Sequence, residues 1–130
     1  MFYDKYWRAI QTRSNNYLSS AVDNLTTVTY DPLTRNVLQT KTYHNGGGAN
    51  QVTVLQTPAY DAKSRITQIS HSVNGAAAQV VAKYVYNELG QAVAKNLHQK
   101  ADLSFMQTVD LRYNIRGWLT TIVGQLCVVD

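Results

Sequence analysis

The chain of 130 residues carries a tyrosine followed by Asp or Asn five times, at nearly constant intervals. Successive tyrosines of these pairs are 27, 30, 26 and 27 residues apart. A period of roughly 20–50 residues is typical of folds that stack copies of one small unit. The repeat therefore constrains the fold more than any other feature of the sequence. In order, the pairs are Tyr3-Asp4, Tyr30-Asp31, Tyr60-Asp61, Tyr86-Asn87 and Tyr113-Asn114.

Each repeat has the pattern strand, tight turn, strand. A strand-like stretch follows every pair, and another precedes each of the last four. In one of them Val80, Ala82, Tyr84 and Tyr86 share one face of a strand. The Asp or Asn opens a turn, because its side-chain oxygen can accept backbone N–H groups further on. Gly90 and Gly117, four residues after their tyrosines, supply the positive φ that closes a hairpin. We therefore predict an all-β fold of tandem hairpins in an antiparallel sheet.

The copies differ at the turn. An arginine stands five residues after the tyrosine in the first three copies, as Arg8, Arg35 and Arg65. These copies have Trp7, Thr34 and Ser64 where the later ones have glycine. The second turn is one residue longer, and there we expect Asn36 to take the left-handed conformation.

One segment has a competing interpretation as a helix. Residues 87–101 are rich in helix formers, and Leu89, Val93 and Leu97 recur at helical spacing. The register of this segment with the other four copies favours a strand, which is our prediction.

Composition limits the remaining possibilities. No stretch approaches the roughly 20 apolar residues of a membrane helix, and the start does not resemble a secretion signal. The net charge is +4 with no clustered basic face, so we expect no nucleic-acid partner. Cys127 is the only cysteine. We predict one domain of five repeats over residues 1–122 and an apolar, non-repeat tail over residues 123–130.

The residues that could carry chemistry mostly have a simpler explanation. His44, His71 and His98 are 27 residues apart, but that is the repeat length, so we expect no metal site and no cofactor. No nucleophile elbow is present, and we expect no catalytic residues and no enzymatic activity. The five repeat tyrosines are expected to form an aromatic ladder between hairpins. Three tyrosines outside that register are candidates for glycan contact: Tyr6, Tyr17 and Tyr43.

These residues resemble the YD repeats of the RHS (rearrangement hotspot) family, which in animals includes the teneurins. Tyr30-Asp31 with Arg35 and Tyr60-Asp61 with Arg65 match part of the family's unit. The later copies are similar to the form found in large surface proteins of Bacteroidetes-type bacteria. The resemblance covers nearly the whole chain, and it identifies these structural repeat residues: Tyr3, Asp4, Tyr30, Asp31, Arg35, Tyr60, Asp61, Arg65, Tyr86, Asn87, Gly90, Tyr113, Asn114 and Gly117.

The resemblance implies a curved, spiral antiparallel sheet, part of a β-shell that in full-length relatives encloses a C-terminal toxin or effector. The expected role is then a structural wall segment, with a surface module that contacts glycans or another cell as the alternative. The partners would be further repeats or the cargo domain of a longer parent protein, itself secreted or at the cell surface. No cleavage segment or toxin domain is recognisable. We expect the chain to be a fragment of such a protein, without membrane insertion, and to self-associate when isolated.

Overall fold

A computed structural model of the chain describes residues 1–16, 19–45 and 51–126. These residues form strands and turns, with no helix among them, so the all-β prediction is confirmed. No helix long and apolar enough to span a membrane occurs in this part of the chain. The strands are β1 (Phe2–Tyr3), β2 (Ala9–Asn16), β3 (Ser19–Tyr30), β4 (Val37–Asn45), β5 (Gln51–Tyr60), β6 (Ile66–Val73), β7 (Gln79–Tyr86), β8 (Ala92–Gln99), β9 (Phe105–Tyr113) and β10 (Leu119–Leu126).

The strands make one open antiparallel sheet in which each strand is bonded to its neighbours in sequence order. The segment with helical spacing is a turn followed by strand β8, as its register with the other repeats predicted. Strand β10 continues past residue 122 to Leu126, so residues 123–126 of the expected tail belong to the fifth hairpin. The rest of that tail, with Cys127, lies outside the described residues.

Four of the five repeat turns have the same backbone. In each, the residue four positions after the tyrosine has a positive φ: 62° at Trp7, 60° at Ser64, 85° at Gly90 and 79° at Gly117. Its N–H donates to the carbonyl of the Asp or Asn, as in the 3.0 Å bond from Trp7 to Asp4. This is the three-residue hairpin loop with a left-handed residue after a type I turn. The substitutions of glycine in the first and third copies therefore leave the turn type unchanged.

The second turn differs from the sequence prediction. The left-handed residue is Arg35, with φ of 63°, and not Asn36. The N–H of Arg35 donates to the carbonyl of Asp31 at 3.0 Å, and the N–H of Asp31 donates to the carbonyl of Asn36 at 2.8 Å. The extra residue widens the loop by one position, so Asn36 becomes the residue that closes it.

The chain divides into two compact units. The first comprises Met1–Pro58 and His71–Ala78, and the second comprises Ala59–Ser70 and Gln79–Asp130. In the first unit β3 pairs with β4 and β4 with β5 through Leu25, Tyr43 and Thr53. In the second, β7, β8 and β9 are joined through Tyr84, Lys95 and Val109, and Leu111 of β9 faces Ile122 of β10.

Very few side chains are buried. Among the described residues, Ala82 is the only buried apolar side chain and Asn45 the only buried polar one, each 6% exposed. A sheet without a covering layer removes little apolar area from water, and that area is the main source of folding free energy. The bonds between neighbouring hairpins therefore carry more of the stability than in a domain with a full core.

Candidate functional site

The most elaborate side-chain arrangement is a clamp within the first turn. Asp4 Oδ1 accepts the backbone N–H groups of Tyr6 at 2.8 Å and Arg8 at 3.0 Å. Its other oxygen, Oδ2, accepts Nε of Arg8 at 2.7 Å and Nη2 at 2.6 Å. One carboxylate thus holds both the loop backbone and a two-point ion pair, which fixes the direction of the guanidinium plane.

The third turn repeats this clamp with the same atoms. Asp61 Oδ1 accepts the N–H groups of Lys63 at 2.8 Å and Arg65 at 2.9 Å. Its Oδ2 accepts Nε and Nη2 of Arg65, both at 2.6 Å. The spacing from Asp to Arg in the repeat is therefore explained by a bidentate pair four residues apart.

Each clamped arginine lies on the tyrosine that heads the next repeat. The guanidinium carbon of Arg8 is 4.3 Å from the ring centroid of Tyr30, and that of Arg65 is 4.5 Å from the ring of Tyr86. Both distances are well inside the roughly 6 Å range of a cation–π contact. The contact joins consecutive hairpins, and it requires the clamp to aim the arginine.

The hydroxyl of the same tyrosine completes the contact. Tyr30 Oη donates to the carbonyl of Ala9 at 3.1 Å, and Tyr86 Oη donates to the carbonyl of Ile66 at 2.7 Å. In both cases the acceptor is the residue directly after the clamped arginine. We call this set of clamp, stacked tyrosine and hydroxyl bond a joint.

The joint between the fourth and fifth repeats is neutral. Asn87 Oδ1 accepts the N–H of Gln91, and Asn87 Nδ2 donates to Gln91 Oε1, both at 2.9 Å. Gln91 Nε2 then reaches the carbonyl of Gly117 at 3.4 Å, and Tyr113 Oη donates to the carbonyl of Ala92 at 2.9 Å. An amide pair here takes the place of the Asp–Arg ion pair.

A side chain is disfavoured at two repeat glycines for two reasons. Besides the positive φ, a Cβ on Gly90 would lie 3.2 Å from Nη1 of Arg65, and one on Gly117 would lie 3.1 Å from Nε2 of Gln91. The side chain of one joint therefore passes directly over the turn of the following repeat. The backbone reason is visible in the sequence, but the close approach depends on which hairpins are neighbours.

The turn carboxylates are ionised acceptors and are poor proton donors at neutral pH. Desolvation raises the pKa of Asp4, but hydrogen bonds from Arg8 and Tyr6, with the charge of Arg8, outweigh it and hold the pKa below its usual value. The hydrogen bond from the Arg65 backbone is the main cause that lowers the pKa of Asp61. Backbone bonds from Thr34 and Leu33 lower the pKa of Asp31. These shifts follow from hydrogen bonds to the charged form, which is a structural effect.

Open clefts run beside the joints in both units. One of about 570 Å³ in the first unit is lined by Asp4, Arg8 and Tyr30 among others. One of about 620 Å³ in the second unit is lined by the equivalent Asn87, Gln91 and Tyr113. Because both clefts lie at the same repeat position, we interpret them as a product of the architecture.

The remaining repeat residues form only part of a joint, or none of the contacts that define one. Asn114 Oδ1 accepts the N–H groups of Arg116 at 3.0 Å and Trp118 at 2.9 Å, as an aspartate does in the clamps. Within the described contacts, Arg35 is not paired with Asp31, and its guanidinium carbon lies 5.3 Å from the ring of Tyr6. Tyr60 lies at the end of β5.

The expected aromatic ladder takes another form. The pair of rings that the structure describes is Tyr3 with Trp7, whose centroids are 6.5 Å apart. The rings of Tyr30 and Tyr86 are covered by arginine side chains, and the hydroxyls of Tyr30, Tyr86 and Tyr113 are bonded to backbone carbonyls. In the first and third copies, the arginine five residues after the tyrosine was the sequence signal for this arrangement.

The glycan candidates lie in different surroundings. Tyr6 is half exposed, with Lys5 Nζ 5.0 Å and Arg8 Cζ 5.3 Å from its ring centroid. Tyr43 is only partly exposed and lines a cleft of about 320 Å³ with Lys41. Tyr17 lies outside the described residues.

The histidines lie on separate strands. His44 is on β4, His71 on β6 and His98 on β8, where Nε2 of His98 is 3.2 Å from Nε2 of Gln79. Over residues 1–16, 19–45 and 51–126, no group of three or more His, Cys, Asp or Glu side chains could hold a metal ion.

Comparison with known proteins does not add a family assignment. No protein-family model matches the chain, and no curated protein matches it significantly. The fold and the joints are therefore the observations from which a function has to be argued.

Proposed function

We propose that the chain is a structural wall segment of a repetitive β-shell of the RHS/YD-repeat type. The observation that carries this proposal is the joint, because its tyrosine hydroxyl bond recurs in register at Tyr30, Tyr86 and Tyr113 and each time fastens one hairpin to the preceding one. Side chains that connect each hairpin to its neighbour stabilise a repetitive sheet, which is the role of a wall segment. The finer features, a spiral sheet and a hollow interior, belong to the proposal.

The lack of a buried core supports the same role. Ala82 is the one buried apolar side chain of the described residues, whereas a self-contained domain of this length buries a sizeable core. Repeat arrays gain stability from contacts between neighbouring units, so a segment with few core residues is stable as part of a longer array. In full-length relatives such an array encloses a C-terminal toxin or effector, and we assign this chain no activity of its own.

The test has a genetic and a biochemical step. First, the reading frame and transcript on both sides of this segment are sequenced. We expect further tyrosine-headed repeats that end in a distinct C-terminal domain. Stop codons that close a transcript of this chain alone would refute the shell role.

Second, the full-length protein is treated with protease. We expect the C-terminal domain to be protected while the shell is intact. A variant that carries both Tyr86→Phe and Tyr113→Phe should lose protection earlier on heating than one that carries Tyr84→Phe, which lies outside the joints. Equal loss in both proteins would contradict a wall built from these joints.

A second candidate function is glycan contact at the first turn. Tyr6 and Trp7 are exposed there, and Lys5 Nζ and the Arg35 guanidinium carbon lie over the Tyr6 ring, 5.0 and 5.3 Å from its centroid. Aromatic rings beside cations suit a sugar that carries acidic groups. Binding to an array of acidic and neutral glycans, compared between the native chain and a Tyr6→Ala variant, separates this function from a purely structural one.

A further inference from the structure

We infer that the tips of the tyrosine-headed turns dock on an anionic lipid surface. A turn tip is the second and third residue after each repeat tyrosine. Side chains of the tips enter the interfacial layer of the bilayer, and the sheet stays outside it. This partner goes beyond the wall role, which assigns none to the tips. The tips are Lys5-Tyr6, Pro32-Leu33, Ala62-Lys63, Glu88-Leu89 and Ile115-Arg116.

The turn tips are exposed in every repeat, whatever lies beside the hairpin. The hairpin of β3 and β4 lies between β2 and β5, and the hairpin of β7 and β8 lies between β6 and β9. Even there the side chains of Leu33 and Leu89 are 89% and 84% exposed. Strands pair through bonds perpendicular to their length, so further repeats add beside the hairpins and leave the tips open. Exposure of the tips is therefore a property of the turn itself.

The loop backbone holds the third residue of the turn in place. In four turns its N–H donates to the side-chain oxygen of the Asp or Asn that opens the turn. The donor–acceptor distances are 2.8 Å for Tyr6 and Lys63, 2.7 Å for Leu33 and 3.0 Å for Arg116. A tip whose backbone is already ordered loses little further conformational entropy when it binds a surface.

Three tips carry a large aliphatic side chain, Leu33 in the first unit and Leu89 and Ile115 in the second. Folding leaves these side chains in water, so they contribute nothing to stability through the hydrophobic effect. At the end of an ordered turn they can enter the boundary between lipid headgroups and acyl chains, as the apolar face of an interfacial helix does. A sugar offers no comparable apolar partner, which favours lipid over the glycan contact at Tyr6.

Within each unit, neighbouring turns lie against each other. In the first unit the guanidinium carbon of Arg35 is 5.3 Å from the ring centroid of Tyr6, which joins the first two turns. In the second unit Gln91 Nε2 donates to the carbonyl of Gly117 at 3.4 Å, which joins the last two turns. Each unit by itself therefore presents more than one tip to a surface.

The charge around the tips suits an anionic surface. The carboxylates of the first and third turns are neutralised by the arginine clamps, and the last two turns have Asn in place of Asp. The acidic groups that remain are Asp31 in the first unit and Glu88 in the second. Four basic side chains at or beside the tips, two in each unit, form no ion pair among the described residues: Lys5, Arg35, Lys63 and Arg116.

The test measures flotation of the full chain with lipid vesicles. One set contains equal parts of phosphatidylcholine and phosphatidylglycerol, and the other contains phosphatidylcholine alone. We expect the native chain to float with the anionic vesicles at low salt and less with the neutral ones. It should be largely released at about 1 M salt, where the Debye length is about 3 Å. A chain that does not float with anionic vesicles at low salt would overturn the inference.

Leucine variants separate the tips from general adhesion of an apolar surface. Leu33→Ser combined with Leu89→Ser removes one aliphatic tip from each unit and should weaken vesicle binding by about tenfold or more. Leu103→Ser is the matched control, because Leu103 is 73% exposed but lies beyond the other end of β8. Its vesicle binding should be unchanged, and circular dichroism checks that both variants fold. Native binding by the tip variant, or an equal loss in the control, would show that the tips are not the contact.

A charge variant tests the preference for anionic lipid. A basic residue close to an anionic bilayer strengthens binding by about fivefold, so Lys63→Gln combined with Arg116→Gln should lower binding to anionic vesicles by about 25-fold. Binding to neutral vesicles should not change. An equal loss with both kinds of vesicle would contradict the charge complementarity. Retention of the native chain on immobilised dextran sulfate without vesicle binding would instead assign the basic residues to an acidic glycan and overturn the lipid contact.

Discussion

Removal of a single hydroxyl, in Tyr86→Phe, tests whether the joints hold the sheet together. The hydroxyl donates to the carbonyl of Ile66 at 2.7 Å, and the ring lies under Arg65 at 4.5 Å. Phenylalanine keeps the ring and its cation–π contact, so the change removes only the hydrogen bond. A hydrogen bond of this kind contributes about 0.5–1.5 kcal/mol net, and we expect a loss of about 1 kcal/mol in the free energy of unfolding.

The assay is thermal unfolding followed by circular dichroism, at a concentration low enough for the chain to be monomeric. A loss of about 1 kcal/mol lowers Tm by about 3–5 °C in a chain of this size. The matched control is Tyr84→Phe, two residues earlier on the same strand. Its hydroxyl bonds to none of the described residues, and its ring lies 5.6 Å from Lys95 Nζ, so its Tm should stay within about 2 °C of the native value.

A double-mutant cycle separates the ring contact from the hydroxyl. Arg65→Met with Tyr86→Leu should show a coupling free energy of about 0.5–1 kcal/mol, the usual value for a cation–π pair that is partly exposed. The joint would be refuted as a source of stability if Tyr86→Phe and Tyr84→Phe had the same Tm. A coupling free energy of zero would leave the hydroxyl as the only part of the joint that matters.

Three further results follow from the turns. Gly90→Ala should lower the free energy of unfolding by about 1–2 kcal/mol, and by more than Gly75→Ala does. Both glycines have a positive φ, but only Gly90 lies against Arg65. Urea unfolding of the two variants measures the difference. Ser64→Gly should raise Tm, since it relieves a left-handed serine, and an unchanged or lower Tm would contradict this. The pKa of Asp61 is below its usual value in the folded chain, so its contribution to stability is present above pH about 4 and is lost as the pH falls through the folded pKa. Asp61→Asn should therefore reduce the fall of Tm at acidic pH. An unchanged fall would show that other groups cause it.

Some features of the joints could be predicted from the repeat and others could not. The repeat period predicted the position of each turn, and the glycines at positions 90 and 117 predicted the positive φ that the structure shows there. The same logic placed the left-handed residue of the longer turn at Asn36, but it is Arg35. Local preference favours asparagine there, but the hydrogen bonds that close a loop are set by its length.

The hairpin follows from residues close together in the sequence: a tyrosine that ends a strand, an Asp or Asn that accepts the loop N–H groups, and a turn of nearly fixed length. All of these act within about six residues, so they are readable from neighbours along the chain. The folded sheet adds contacts that the sequence did not predict: Arg65 covers Tyr86, the Tyr86 hydroxyl bonds to Ile66, and Gly90 leaves room for the guanidinium. These partners are about twenty residues apart, and they meet because each hairpin pairs with the next one in the sheet.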